Sequence, residues 1–154
     1  MRTERRAYPR AGIKWPVLVK TNKGSTKGVT LNVTPNGVFI RCQRPLRLNE
    51  IVEIAIHIPN SERIMAAKTE VVWSNIYGPD DEITPRGMGV RFIKIGSEDR
   101  KFIAQASLKH LKAAKIKPEL LDTLNTLIID LSENDSDIKH AQRNDEVKTV
   151  PAIK

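Results

Sequence analysis

The stretch IVEIAIHIP, Ile51 to Pro59, constrains this chain more than any other. Val52, Ile54, Ile56 and Ile58 fall on one face of an extended backbone, and Glu53, Ala55 and His57 fall on the other. That period of two belongs to a half-buried strand and cannot form the stripe of a helix. The same grammar runs from Trp15 to Ile95. WPVLVKT (15–21), GVTLNV (28–33), VFIRC (38–42), AKTEVVWSNIY (67–77) and MGVRFIKI (88–95) are β-rich runs. Asn22-Lys23-Gly24-Ser25, Thr34-Pro35-Asn36-Gly37 and Gly78-Pro79-Asp80-Asp81 separate them as turn signals. Five or six short strands with such turns predict a small antiparallel barrel or sandwich.

After Ile95 the period changes. Ser97-Glu98-Asp99 reads as an N-cap followed by acids that suit a helix dipole. The helix is expected to reach about Ala114, with Phe102, Ile103, Ala106 and His110 near one face. Lys112 to Lys117 reads as a basic helix end and linker. Pro118 opens a second helix to about Ser132. Its Leu120, Leu124, Leu127 and Leu131 form a heptad-like stripe, too short to hold a coiled coil alone. The stripe is expected to pack on its own domain, with a homodimer contact as the alternative. The division is therefore an arm at 1–13, a β-domain with its closing helix at 14–114, an extra helix at 115–132 and a disordered polar tail at 133–154.

Composition excludes several classes. Hydrophobic residues are 40% and charged residues 29%, as in a soluble globular protein. No apolar run of about 18 residues could span a membrane. The basic start MRTERRAYPR lacks the apolar core of a signal peptide. One cysteine, Cys42, forms no internal disulfide and suits a reducing cytoplasm. His57, His110 and His140 are scattered, so no metal site is expected. No Ser/His/Asp or Cys/His grouping has usable spacing, so no enzyme is expected. His57 reads as a surface residue, Cys42 as a packed one, and Trp15 and Trp73 as core or barrel-end packing.

The net charge is +8, and the excess is concentrated at the start. Up to Gly28 there are eight basic residues (Arg2, Arg5, Arg6, Arg10, Lys14, Lys20, Lys23, Lys27) against Glu4. An anionic partner fits this balance, as does a basic surface that only serves solubility. Within the excess lies Arg6-Ala7-Tyr8-Pro9-Arg10, an R-x-x-x-R. Pro9 biases Tyr8 toward extended backbone, so the two arginines can stand up to about 13–14 Å apart. That span suits two contacts on one doubly anionic ligand. Arginine pairs bidentately with phosphate, stacks on rings and reads the O6/N7 edge of guanine. The second element is N-x-T-x-x-G: Asn32 and Thr34 share a strand face, and Gly37 permits a tight turn and close approach of a ligand. Alone, that hexapeptide is no more than a hairpin turn.

Together, R-x-x-x-R before the first strand and [D/N]-x-[S/T]-x-x-G two strands on resemble the PilZ domain family. Gly87-Met88-Gly89-Val90-Arg91-Phe92 followed by Ser97-Glu98-Asp99-Arg100 is similar to its last strand and closing helix. The resemblance covers about Glu4 to Leu111. It implies a mainly β fold: a six-stranded antiparallel β-barrel with one or two C-terminal helices. It implies cyclic di-GMP as ligand, a non-enzymatic receptor or adaptor role, and an unidentified downstream protein partner. Carried over residue by residue, Arg6 and Arg10 would grip phosphates and guanine edges, Arg5 would add a contact, and Asn32, Thr34 and Gly37 would face a guanine. Arg91 is a weaker candidate. Threonine at 34 stands where the family usually has serine; the hydroxyl is kept, and the added methyl is expected to lower affinity. Two other readings stay open. One is a protein-interaction module of the same fold with weak or no ligand binding. The other is a basic barrel that binds nucleic acid, against which aromatics are 5% and no strand shows clustered exposed rings.

Overall fold

A computed structural model describes residues 8–133. Six strands form one closed antiparallel barrel: β1 Pro16–Thr21, β2 Gly24–Thr34, β3 Gly37–Cys42, β4 Ile51–His57, β5 Ile64–Asn75 and β6 Gly87–Ile95. Around the wall the order is β1-β2-β3-β6-β5-β4, and β1 pairs with β4 to close the ring. Helix α1, Ser97–Ala113, follows. A 3-10 turn at Pro118–Leu121 then leads into a second helix, α2, at residues 122–133. The expected mainly β barrel with two C-terminal helices is the observed architecture.

The core follows from the alternation. Val17 and Val19 of β1, Val52, Ile54 and Ile56 of β4, and Met65, Ala67 and Val71 of β5 fill the interior. Glu53 and His57 face out, as their parity requires. Trp15 and Cys42 are buried, and Trp15 meets Phe102 of α1 with ring centroids 6.1 Å apart. Burial pushes the Cys42 thiol up to about 11, so it stays protonated at neutral pH and is no nucleophile there.

Three bulges break the parity; one leaves Ile93 of β6 unpaired, between Lys68↔Lys94 and Thr69↔Phe92, and the other two shape the outer wall. Thr30 pairs with Ile40 but Asn32 pairs with Phe39, so Leu31 is an extra residue in β2. Val71 pairs with Val90 but Trp73 pairs with Gly89, so Val72 is an extra residue in β5. Before its bulge β2 turns even-numbered residues inward, Thr30 among them; after it Val33 is inward and Asn32 and Thr34 face out. Before its bulge β5 turns odd-numbered residues inward; after it Trp73 faces out and Asn75 is buried. Trp73 is 45% exposed, which corrects its assignment to packing.

The helices bring further corrections. Gly96 occupies the N-cap, with no side-chain hydrogen bond to the helix, and Ser97 is the first helical residue. Glu98 and Asp99 do lie in the first turn. The buried stripe of α1 is Ile103, Ala104, Ser107 and Leu111; of the expected stripe only Ile103 is fully buried. The leucine stripe packs on its own domain, as expected, except at Leu120, and the alternative of a dimer contact through all four leucines is not supported. Leu124, Leu127 and Leu131 are buried in the chain's own core, joined by Leu121, while Leu120 is 58% exposed. Because the segment enters as a 3-10 turn, the residue that reaches the core is one place later than a continuous helix would put it. The tail placed at 133–154 lies outside the described residues, apart from Glu133, which ends α2.

If the leucine stripe is core, Leu124→Ala lowers unfolding free energy by about 2–5 kcal/mol, read from urea denaturation. A stripe that served only to join two copies would leave the midpoint of dilute protein unchanged.

Candidate functional site

The segment before β1 is sewn onto β2. Ala11 is fully buried and forms an isolated antiparallel bridge with Val33: Ala11 N–H donates to the Val33 carbonyl at 3.0 Å, and Val33 N–H donates back at 2.8 Å. Below it the buried Thr30 hydroxyl accepts the Trp15 N–H at 2.8 Å and donates to the Ile13 carbonyl at 2.7 Å. The sense of an antiparallel bridge then runs Arg10 alongside Thr34. Ala11 and Ile13, expected in the arm, are thus bonded to β2 of the barrel. Arg5 and Arg6 lie outside the described residues.

Cross-strand pairing builds the site in two rows. The first is Asn32 on β2, Phe39 on β3, Gly89 on β6 and Trp73 on β5, each paired with the next. The second is Thr34, Gly37, Arg91 and Glu70 on the same four strands. In the first row Gly89 has no side chain to separate its neighbours. Phe39 and Trp73 therefore meet across it, with centroids 5.3 Å apart and planes tilted by 49°. In the second row Arg91 donates to Glu70 through Nε at 2.7 Å and through Nη2 at 2.6 Å. A cavity of about 670 Å³ lies over both rows, and Tyr8, Arg10, Asn32, Thr34, Gly37, Phe39, Trp73 and Arg91 line it. Of the six candidate residues, the structure brings Arg10, Asn32, Thr34 and Gly37 together here.

Two of these residues also have structural work in the wall. The Thr34 hydroxyl accepts the N–H groups of Asn36 (3.1 Å) and Gly37 (3.2 Å) and donates to the Gly37 carbonyl (3.2 Å). It is spent on the turn, as a serine hydroxyl would be. Gly37 is required by β6: a Cβ there would run into the Val90 carbonyl oxygen. It does not have positive φ, so close backbone packing, not left-handed freedom, explains the glycine.

The far wall is the loop 76–86; the sequence predicts a turn only at Gly78–Asp81 and a strand running to Tyr77, whereas β5 ends at Asn75. Buried Asn75 organises it. Its side-chain amide donates toward the carbonyls of Pro79 (2.8 Å), Pro85 (3.1 Å) and Thr84 (3.2 Å), while its Oδ1 accepts the Gly78 N–H at 2.9 Å. Arg86 donates to the carbonyls of Ile76 and Gly78, both at 3.1 Å. Asp80 accepts the Arg86 N–H at 2.9 Å and pairs with Arg41 at 3.1 Å; that N–H, and after it the Arg41 charge, hold its carboxyl below the usual range. Glu82, Ile83 and Thr84 are thereby set on the cavity rim. Phe39, Trp73 and this loop were missed because no single strand displays them. A signal did exist in Asp81-Glu82-Ile83-Thr84: Asp81 caps the N–H groups of Ile83 (3.0 Å) and Thr84 (2.7 Å), the expected use of aspartate in a turn.

Among the described residues no group of three or more His, Cys, Asp or Glu is placed to hold a metal, and no helix is long and apolar enough to cross a membrane.

The model of the PilZ domain matches residues 4–109. The structure is similar to that of the Bacillus subtilis inhibitor of motility MotI/DgrA, with a TM-score of 0.61 and 18% identity. That similarity covers 73% of this chain and 54% of the other, so the chain spans about half the length of that protein. It is also similar to the PilZ domain of CeSA from a cellulose-synthesising bacterium, with a TM-score of 0.45, 14% identity, and 66% and 96% of the two chains covered. No curated protein sequence matches it closely enough to count as a relative.

Two substitutions check this construction. Thr30→Val leaves the Trp15 N–H and Ile13 carbonyl unpaired in the core and lowers stability by about 1–3 kcal/mol in denaturant titration. Gly37→Ala forces β3 from β6 and costs at least about 1–3 kcal/mol by the same measure.

Proposed function

The chain belongs to the PilZ domain family, and on that premise we propose that it is a non-enzymatic receptor for cyclic di-GMP, which binds in the cavity over β2, β3, β6 and β5. The observation that carries this reading is the row Asn32–Phe39–Gly89–Trp73 beside Arg10. It sets a ring platform, a polar group and a cation around one recess, the three chemistries a purine nucleotide asks of a protein.

The division of labour follows from the geometry. A guanine lies against the Phe39–Trp73 pair, where stacking is worth about 1–3 kcal/mol per base. Asn32, level with Phe39 in the same row, supplies an amide to the base edge. Arg10 pairs with a phosphate, and Arg6, four residues earlier, takes the other phosphate or a Hoogsteen edge, with Arg5 adjacent. Thr34 acts through the turn, so its methyl, in place of serine's hydrogen, lowers affinity little. Arg91 keeps its charge paired with Glu70 and forms a wall of the cavity.

A ligand that bridges residues 5–10 and the barrel wall changes the surface offered there to a partner protein in the cytoplasm. That surface is the output of the receptor. The aromatic pair would also stack a base of single-stranded nucleic acid, and a basic chain would attract one. The braced loop 76–86 closes one side of the recess, however, and so favours a compact ligand over a continuous strand.

Calorimetric titration of cyclic di-GMP tests the reading. Saturable binding is expected, lost in the Arg6→Ala/Arg10→Ala double variant and weakened about 10–100-fold in Trp73→Ala. Absence of binding by folded wild type would refute it. Binding to many oligonucleotides with steep salt dependence would point to the nucleic-acid reading instead.

A further inference from the structure

Arg100 occupies an unfavourable place for a cation. It sits in the first turn of α1, where its N–H makes an early helical bond to the Gly96 carbonyl at 2.9 Å, and the positive end of the helix dipole disfavours positive charge. Its side chain is directed away from the helix onto the turn between β2 and β3. Nε donates to the Pro35 carbonyl at 3.2 Å, and Nη2 donates to Asn36 Oδ1 at 2.9 Å. The Asn36 carbonyl in turn accepts the Phe92 N–H of β6 at 2.8 Å. The turn is therefore gripped from two sides, by β6 and by α1.

Pro35 and Asn36 stand at the two open positions between Thr34 and Gly37 of N-x-T-x-x-G, and Arg100 does not line the cavity. We propose that Arg100 is a positioning residue: its fork fixes the turn 34–37 in the form that the ligand meets, and couples the ligand to α1. This rests on the cyclic di-GMP reading above. The coupling is reciprocal, because a contact that holds the turn against α1 also reports to α1 any shift of the turn. α1 buries Ile103, Ala104 and Leu111 in the core. Its first turn is tied to the segment before β5 by Arg63, 3.0 Å from Asp99, and to the turn 34–37 by Arg100, so a shift of that turn bears on α1 through Arg100. A planar fork that donates to two acceptors at fixed separation is a property of arginine, and lysine does not reproduce it.

The test uses the full chain with cyclic di-GMP. Wild type, Arg100→Ala, Arg100→Lys, Asn36→Ala and the Asn36→Ala/Arg100→Ala double variant are titrated, and amide exchange is followed with and without saturating ligand. Arg100→Ala is expected to raise Kd about tenfold. Arg100→Lys, which keeps the charge and disturbs folding least, should restore little of that loss. The double variant should bind no more weakly than Arg100→Ala. In wild type the ligand should slow exchange in the first two turns of α1, and in Arg100→Ala it should not, even at saturation. Wild-type affinity in Arg100→Ala, full rescue by lysine, or α1 protection that survives the substitution overturns the inference while the receptor reading stands. A wild type that binds no cyclic di-GMP sinks both.

Discussion

Two of the three residues that lack a partner across the ladder decide what this barrel can do. Leu31 in β2 and Val72 in β5 each add one residue to a strand, and one residue inverts every side chain that follows. Without Leu31 as an extra residue, Asn32 and Thr34 would continue the inward parity of Thr30 and enter the core. Without Val72, Trp73 would follow Val71 inward. The bulges lie on different strands, yet they act on one patch, because β3 and β6 stand between β2 and β5 and carry Phe39 and Gly89 in the same row. A site on a barrel wall needs polar and aromatic groups outside and an unbroken apolar interior. The bulges meet both demands within the same strands.

The second condition is that Arg10 be held at this patch. The Ala11–Val33 bridge does that, and the Thr30 hydroxyl supports it with one donated and one accepted bond in the core. Thr30 is itself the last inward residue before the bulge. The element that turns Asn32 outward is thus continuous with the one that docks Arg10 beside it. On the opposite side the carbonyls of the loop 76–86 converge on Asn75, two residues beyond Trp73 on the same strand face and buried beneath that loop. Both walls of the cavity are anchored within a few residues of a bulge.

Much of this was legible in the order of residues. The alternation of IVEIAIHIP, the Pro-Asn-Gly turn and the change of period after Ile95 located the strands and α1 to within a few residues, because burial on one face dictates the period. R-x-x-x-R and N-x-T-x-x-G named Arg10, Asn32, Thr34 and Gly37, which do line one cavity. Their individual roles were less legible. The hydroxyl of Thr34 serves the turn, and Gly37 answers to the Val90 carbonyl, a neighbour 53 residues away in the chain. Trp73 was misassigned because its parity is that of a core residue until a bulge intervenes. Leu120 was placed in the stripe because a regular helix from Pro118 would put it there, whereas the 3-10 turn brings Leu121 inward.

The sequence by itself determined the type and order of the elements, the basic beginning and the two short motifs. These depend on local backbone preference, on the period of apolar residues and on charge, which neighbours in the chain suffice to express. Only the tertiary structure decided that β1 closes on β4, that Phe39 and Trp73 meet over a glycine, and that Arg100 reaches the turn at Asn36. Each of these depends on register between strands or on docking of a helix. Register is a relation between distant segments, and a single inserted residue changes it without altering the local pattern on either side.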